Sequence, residues 1–393
     1  MKIRIICCLS LTVALGSIAA AQQYAPCRSP AATTYVEWPK FHSDACNTGD
    51  NPNEIILSPT TVGTLVLAWK QVAGQYIESS PAVVDGIVYV GSSDGNLYAL
   101  SASSGAVLWK YPMGRSGIEA SPTVANGVVY VGSVYPDNSM YALNASTGAL
   151  LWKHNFRDSI QSSAVVFSDV VFFASIDSVY ALYAPNGGLL WQYATGLPVD
   201  SSPALANGIL YIATAFGEGD HSVLALDAAT GMLVWQYAMG NNVISSPAVV
   251  NGVLYIGSYD GNLYALNANT GAFLWKYQTE GIVTCSPAVA NGTVYIGSQY
   301  PDNSVYALNA STGALLWKYT TGSNVLSSPA VANGVVYIAS YDNNVYALNA
   351  ATGVLLWNYP TGDSVYSSPA VANGVVYIGS GDGNVYAFHL PKQ

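Results

Sequence analysis

The stretch that decides the fold is Tyr306-Ala307-Leu308-Asn309-Ala310-Ser311-Thr312-Gly313-Ala314-Leu315-Leu316-Trp317. Its opening, read with Val305, is β-branched and aromatic and reads as a strand. Asn-Ala-Ser-Thr-Gly is a turn, with Gly313 free to take positive φ. Ala-Leu-Leu-Trp-Lys-Tyr is the returning strand. The indole offers a flat face to a neighbouring unit, and its N–H needs an acceptor once buried.

The same frame recurs from Ala99 to Trp109, Ala142 to Trp152, Ala181 to Trp191, Ala225 to Trp235, Ala265 to Trp275 and Ala347 to Trp357, with Trp always four residues after Gly. Unrelated core tryptophans would not keep that spacing. An eighth copy starts at Ala387 and stops short, and Trp69 supplies the missing indole. Successive tryptophans of the set 69, 109, 152, 191, 235, 275, 317 and 357 lie 39 to 44 residues apart. Each unit also holds an earlier hairpin, as in Ser327-Ser328-Pro329-Ala330-Val331-Ala332-Asn333-Gly334-Val335-Val336-Tyr337-Ile338. Asn-Gly between two apolar runs is a strong hairpin signal. A further turn, Asp-Gly-Asn, follows at Asp94, Asp260 and Asp382. Each unit thus reads as four strands, Ser-Ser-Pro-Ala-Val, Val-Tyr-Ile-Gly-Ser, Val-Tyr-Ala-Leu and Leu-Leu-Trp-Lys-Tyr, and four strands in about 40 residues is one propeller blade.

The expected fold is therefore all-β: an eight-bladed propeller of four-stranded antiparallel blades over residues 64–390. Leu65 to Gln71 is a lone strand, and residues 367–390 carry three strands without a fourth. Closure by the N-terminal strand as outer edge of the last blade removes unpaired edges. Val134 to Lys153 nearly repeats at Gln299 to Lys318, so the ring reads as a doubled four-blade half. Residues 22–63 form an N-terminal extension, with Trp38 and Phe41 pointing to an ordered strap across the ring.

Residues 1–21 read as a secretory signal: Lys2 and Arg4, an apolar run from Ile5 to Ile18, and Ala19-Ala20-Ala21 before Gln22. No other segment is long and apolar enough to span a bilayer. A soluble periplasmic or extracellular protein is expected, and a monomer. The formal charge is −10 with 9% charged residues, and no basic cluster is present. Binding of nucleic acid by phosphate neutralisation is excluded. Cys27 and Cys46 are a candidate disulfide in an oxidising compartment, and Cys285 reads as a buried free thiol. His42, His154, His221 and His389 lack metal-ligand spacing. Gly91 to Gly95 fits Gly-x-Ser-x-Gly but falls in a hairpin turn.

The repeat resembles the quinoprotein-type (PQQ-repeat) propellers, whose docking motif runs roughly Ala-x-Asp-x-x-Thr-Gly-x-x-x-Trp; Asp227 to Trp235 keeps its acidic position. The resemblance covers about residues 36–390. It implies either a PQQ-dependent alcohol or polyol dehydrogenase using PQQ with Ca²⁺, or a non-enzymatic propeller like the lipoprotein subunit of the outer-membrane β-barrel assembly machinery. The family's dehydrogenases carry adjacent cysteines, a calcium held by Glu, Asn and Asp, and a catalytic Asp. Adjacent cysteines are missing after residue 21, and no catalytic residue is transferred.

In a propeller the first strand of each blade lines the channel. The residue before Ser-Ser-Pro is then Glu78, Glu119, Gln161, Asp200, Ile244, Thr284, Leu326 and Tyr366 around one mouth. Repeats otherwise alike differ in chemistry here. Glu78, Glu119, Gln161 and Asp200 are the candidate ligand site, with Glu78, Glu119 and Asp200 as candidate oxygen ligands for a hard cation. A cationic or polyhydroxyl ligand is an alternative, as is a solvated acidic rim without ligand; the 29 tyrosines leave sugar or polymer binding open. The expected function is a non-catalytic exported binding or scaffold protein, one face taking a protein or envelope component, with no cofactor; the dehydrogenase is the alternative.

Overall fold

Asn-Gly turns, alternating apolar strands and one indole per unit build the same meander eight times. A computed structural model describes residues 36–114, 117–216 and 221–392. Strand β1 (Val66–Val72) comes first. Blade 1 runs outward through β2 (Ala82–Val84), β3 (Ile87–Gly91), β4 (Asn96–Ser101) and β5 (Val107–Pro112). Blade 2 is β6–β9 within 123–155, blade 3 β10–β13 within 165–194, blade 4 β14–β17 within 204–238. Blade 5 is β18–β21 within 248–278, blade 6 β22–β25 within 288–320, blade 7 β26–β29 within 330–360. Blade 8 takes β30 (Ala370–Ala372), β31 (Val375–Gly379) and β32 (Asn384–His389), and β1 completes it. The closing pair is antiparallel, Val66 opposite His389 and Val72 opposite Asn384. Among the described residues the one helical element is a 3-10 turn, Val62–Thr64.

The first hairpins follow from local chemistry. Asp85, Asn126, Asn207, Asn251, Asn291, Asn333 and Asn373 all take φ between 43° and 52°, and the glycines after them are also positive. Two left-handed residues in a row give the two-residue turn that matches strand twist. Blade 3 replaces Asn-Gly by Ser168-Asp169, and Ser168 takes φ 53° without the ease Asn brings. At the second turn, six blades staple an aspartate to a tyrosine four residues on. Tyr98 to Asp94, Tyr141 to Asp137, Tyr264 to Asp260, Tyr306 to Asp302, Tyr346 to Asp342 and Tyr386 to Asp382 span 2.5–2.7 Å.

Three devices join blades. Each indole N–H donates to a carbonyl of the next blade: Trp69 to Ala102, Trp109 to Ala145, Trp152 to Ala184, Trp191 to Ala228, Trp235 to Ala268, Trp275 to Ala310 and Trp317 to Ala350, at 2.7–3.1 Å. Trp357 closes the set on Leu65, at 3.0 Å. The ring plane lies on the turn glycine; a Cβ on Gly313 would stand 2.6 Å from Trp275. A second knob is Ile118, Ile160, Val283, Val325 or Ile77, fitted over Gly91, Gly132, Gly257, Gly297 or Gly379 of the preceding blade, where a Cβ would come within 2.3–2.5 Å.

The third device corrects the reading of Ser-Ser-Pro as part of the inner strand. That strand is only three residues long and starts after the proline, as in Ala82–Val84. The two serines are hydrogen-bonding hubs instead. The second serine of each blade donates its backbone N–H to the hydroxyl of its counterpart in the next blade. The circuit runs Ser80, Ser121, Ser163, Ser202, Ser246, Ser286, Ser328, Ser368 and back to Ser80, each step 2.8–3.0 Å. The first serine, present in every blade but the second (Ala120) and the sixth, accepts the N–H that ends the second strand, as Ser79 does from Gly91 at 2.8 Å. Cys285 fills that slot in blade 6, taking the Gly297 N–H at 2.9 Å; it is a free, buried thiol pushed up to about 12 by burial.

Residues 36–57 cross the ring on the face of the first hairpins. Trp38 exchanges two hydrogen bonds with Val83 of blade 1 (2.9 and 2.7 Å). The carbonyls of Pro39, Ala45, Cys46, Thr48 and Gly49 then accept N–H groups from Val124, Leu205, Val249, Val289 and Val331, at 2.7–2.9 Å. Asn51 donates its side chain to Val371 of blade 8 at 2.8 Å. The inner strands have a free edge towards the axis, and this strap satisfies it around most of the ring. Cys46 is buried and disulfide-bonded; Cys27, its candidate partner, and the signal-like residues 1–21 lie outside the described residues.

Candidate functional site

The mouth opposite the strap is built from two positions per blade. One is the residue before the paired serines; the other lies in the turn between second and third strands. Glu78, Glu119, Gln161 and Asp200 occupy the first position in blades 1 to 4, and the structure brings them together. Gln161 donates to Glu119 at 2.8 Å. Partial burial pushes the Glu78 carboxyl above the usual carboxylate range, and the neighbouring Glu119 charge adds to it. Asp200 is raised by the same two causes in the same order. Glu119 is thus the shared neighbour of both. A recess of about 100 Å³ opens between blades 1 and 2, lined by Tyr76, Glu78, Ser93, Gly117, Ile118 and Glu119.

The other half of the rim differs. Ile244 and Leu326 are half-buried, and Thr284 is buried against the Gln299 amide. Tyr366 is exposed and meets Tyr341 edge-on at 4.3 Å. Its hydroxyl is pushed up by burial first, then by Glu78 and Tyr76. Tyr76 lies over Gly381, where a Cβ would come within 3.2 Å of the ring. Tyr259 is raised by burial and by Asp200. Farther out on the same face, Tyr135 and Tyr300 stand 77% and 76% exposed, each before a cis proline. Tyr76, Tyr259 and Tyr341 were missed from sequence. For Tyr259 and Tyr341 the signal was a variable residue in the second turn, Ser93, Val134, Ile176, Ala215, Tyr259, Gln299, Tyr341 and Gly381 from blade 1 to blade 8, which only the folded ring sets beside the first position.

Carboxylates, an amide and phenols can hold a cationic or hydrogen-bonding group. A metal ion asks for more convergence. Among the described residues no three His, Cys, Asp or Glu side chains come together as a metal ion would need, Glu78, Glu119 and Asp200 included. No ion pair reaches those three carboxylates among the described residues. The Gly91 to Gly95 stretch is a hairpin turn between β3 and β4.

A family profile described as outer membrane protein assembly factor BamB matches residues 62–194, 175–296 and 280–391. The chain belongs to this family. No curated protein matches it in sequence. Solved structures share the fold. BamB from Moraxella catarrhalis is 24% identical with a TM-score of 0.70, covering 83% of this chain and 99% of that one. A europium-containing methanol dehydrogenase is 15% identical with a TM-score of 0.78, covering 90% and 98%. Quinohemoprotein alcohol dehydrogenase from Comamonas testosteroni is 18% identical with a TM-score of 0.75, covering 91% and 82%.

The resemblance to PQQ-repeat propellers raises PQQ as a cofactor. PQQ is a planar tricarboxylate and needs cationic or N–H donors, or a bridging metal, around its anionic edge. In this BamB-family chain the mouth presents carboxylates of its own, which repel such an anion. Among the described residues no cation pairs with these carboxylates and no three of them converge on a metal, an arrangement that does not fit the cofactor.

Proposed function

We propose that the protein is an exported, non-catalytic binding or scaffold protein that takes a protein or cell-envelope component at the open mouth. The observation that carries this reading is uncompensated charge: Glu78, Glu119 and Asp200 crowd one rim without a paired cation among the described residues, and tyrosines flank them. Such a rim suits a lysine- or arginine-bearing loop, which gains both carboxylate and ring-face contacts. The family's description as an assembly factor favours partner binding over turnover. The signal-like residues 1–21 and the disulfide at Cys46 suit an oxidising compartment. A ring closed on itself suits action as a monomer.

The test is a photoactivatable residue in place of Tyr366, compared with one at Leu151 on the outer rim, in the native host. One discrete partner should cross-link from the mouth and not from the rim. It should be lost when Glu78, Glu119 and Asp200 become amides. Equal or absent labelling at both positions rejects the reading. Adding PQQ and Ca²⁺ tests the alternative: quinone absorbance with alcohol-dependent dye reduction would replace a scaffold by a dehydrogenase.

A further inference from the structure

The strap is organised around one buried cation. Lys40 is 4% exposed, and its ammonium donates to the carbonyls of Phe41 and Asp44 and to Oδ1 of Asn47. Asp44 turns its carboxylate to the strap backbone, accepting from the N–H groups of Cys46 (3.1 Å) and Thr48 (3.0 Å) and from the Thr48 hydroxyl (2.6 Å). Asn47, held by Lys40, donates to the carbonyls of Pro203 and Pro247 in blades 4 and 5, at 3.2 and 3.1 Å. The hub thus fixes the very residues that hang the strap on the inner strands. His42 is buried beside it. Its Nδ1 lies 3.3 Å from the Asn47 carbonyl, which assigns the proton to Nδ1. Nε2 is buried with no partner. A second proton on this ring would put an unmet N–H and a second charge next to Lys40, which a buried site resists.

We propose that this hub makes the strap a proton-released plug: acid undocks residues 36–51 from the inner strands and opens the channel towards the acidic mouth. Lys40, His42 and Asp44 are the titratable groups of the hub. The inner strands and the residues leading into them present Ser202, Pro203, Pro247, Ala288 and Pro329 to it, none titratable. Glu37 at the start of the strap is held above the carboxylate range by burial and Asp85, and acts oppositely. Burial, with the Lys40 charge second, pushes His42 down to about 3 from 6.5. A free strap takes up that proton below 6.5, so undocking gains about tenfold per pH unit from there downward. Burial also lowers Lys40 to about 7 from 10.5, against the pull of Asp44, and adds in the same direction at higher pH.

Amide hydrogen exchange on the full chain reads this directly. The N–H groups of Val83, Val124, Leu205, Val249, Val289 and Val331 are held by the strap, while those of Ser80 and Ser202 are held by the serine circuit. After correction for intrinsic rates, the first set should lose about 15-fold protection between about pH 6.5 and pH 5, and the second set none. Unchanged protection of the first set, or equal loss in both, overturns the proposal. His42→Phe should flatten the response. Should that variant not fold, an NMR titration of His42 in the unaltered protein decides: an imidazole titrating near its ordinary value while the strap amides stay protected sinks the idea.

Discussion

At the scale of single residues, each tryptophan has two jobs that substitutions can separate. Trp235→Phe keeps a ring over Gly271 but leaves the Ala268 carbonyl without its donor. The expected loss is about 1–2 kcal/mol, against about 3–5 kcal/mol for Trp235→Ala, read from urea midpoints. Gly313→Ala meets both a φ of 71° and the Trp275 ring at 2.6 Å, so it should cost about 1–3 kcal/mol. The mouth carboxylates have the opposite signature. Glu78 and Asp200 are raised, so the folded protein holds protons that the unfolded chain releases, and their contribution is lost as pH rises through the raised values. Glu78→Gln or Asp200→Asn should therefore raise Tm at about pH 7 more than at about pH 4, measured by melts across pH. Equal shifts at both would remove the electrostatic argument for the site. Residues 78, 119, 161 and 200 were legible because aligned repeats differ there. Tyr259 and Tyr341 were not, since no spacing along the chain relates a second turn to the next blade's channel rim.

At the scale of elements, the serine pair carries more than its sequence suggests. Its place at the head of the first hairpin made Ser-Ser-Pro look like strand, yet the N–H of the second serine goes to a side chain of the next blade. Ser246→Ala should strand the Ser202 N–H and cost about 1–2 kcal/mol, with the rise in exchange confined to blades 4 and 5. An effect spread evenly over eight blades would mean that the circuit acts as one unit. The strap was legible as ordered from Trp38 and Phe41. Its main-chain bonding to the inner strands was not, because it depends on a free edge that exists only once the ring has formed.

At the scale of the whole molecule, closure rests on β1. Its pairing with β32 joins residue 66 to residue 389, and Trp357 reaches the Leu65 carbonyl just before it. Deleting residues 64–72 leaves β32 with an open edge and removes both Trp69 and the acceptor of Trp357. The expected result is a species that self-associates and unfolds less cooperatively, seen by light scattering and a broadened melt. A monomer with an unaltered transition would contradict closure through this strand.

The eightfold period, the hairpins, the indole spacing and the identity of the closing strand were determined by the amino-acid sequence alone. They depend on local rules of turn, alternation and repeat, and such rules act between residues near in the chain. The serine circuit, the strap's seat on the inner edges, the buried Lys40 hub and the crowding of three carboxylates with tyrosines were decided only by tertiary structure. Each joins residues from different blades, and their distance and burial are set by how the sheets wedge around the axis.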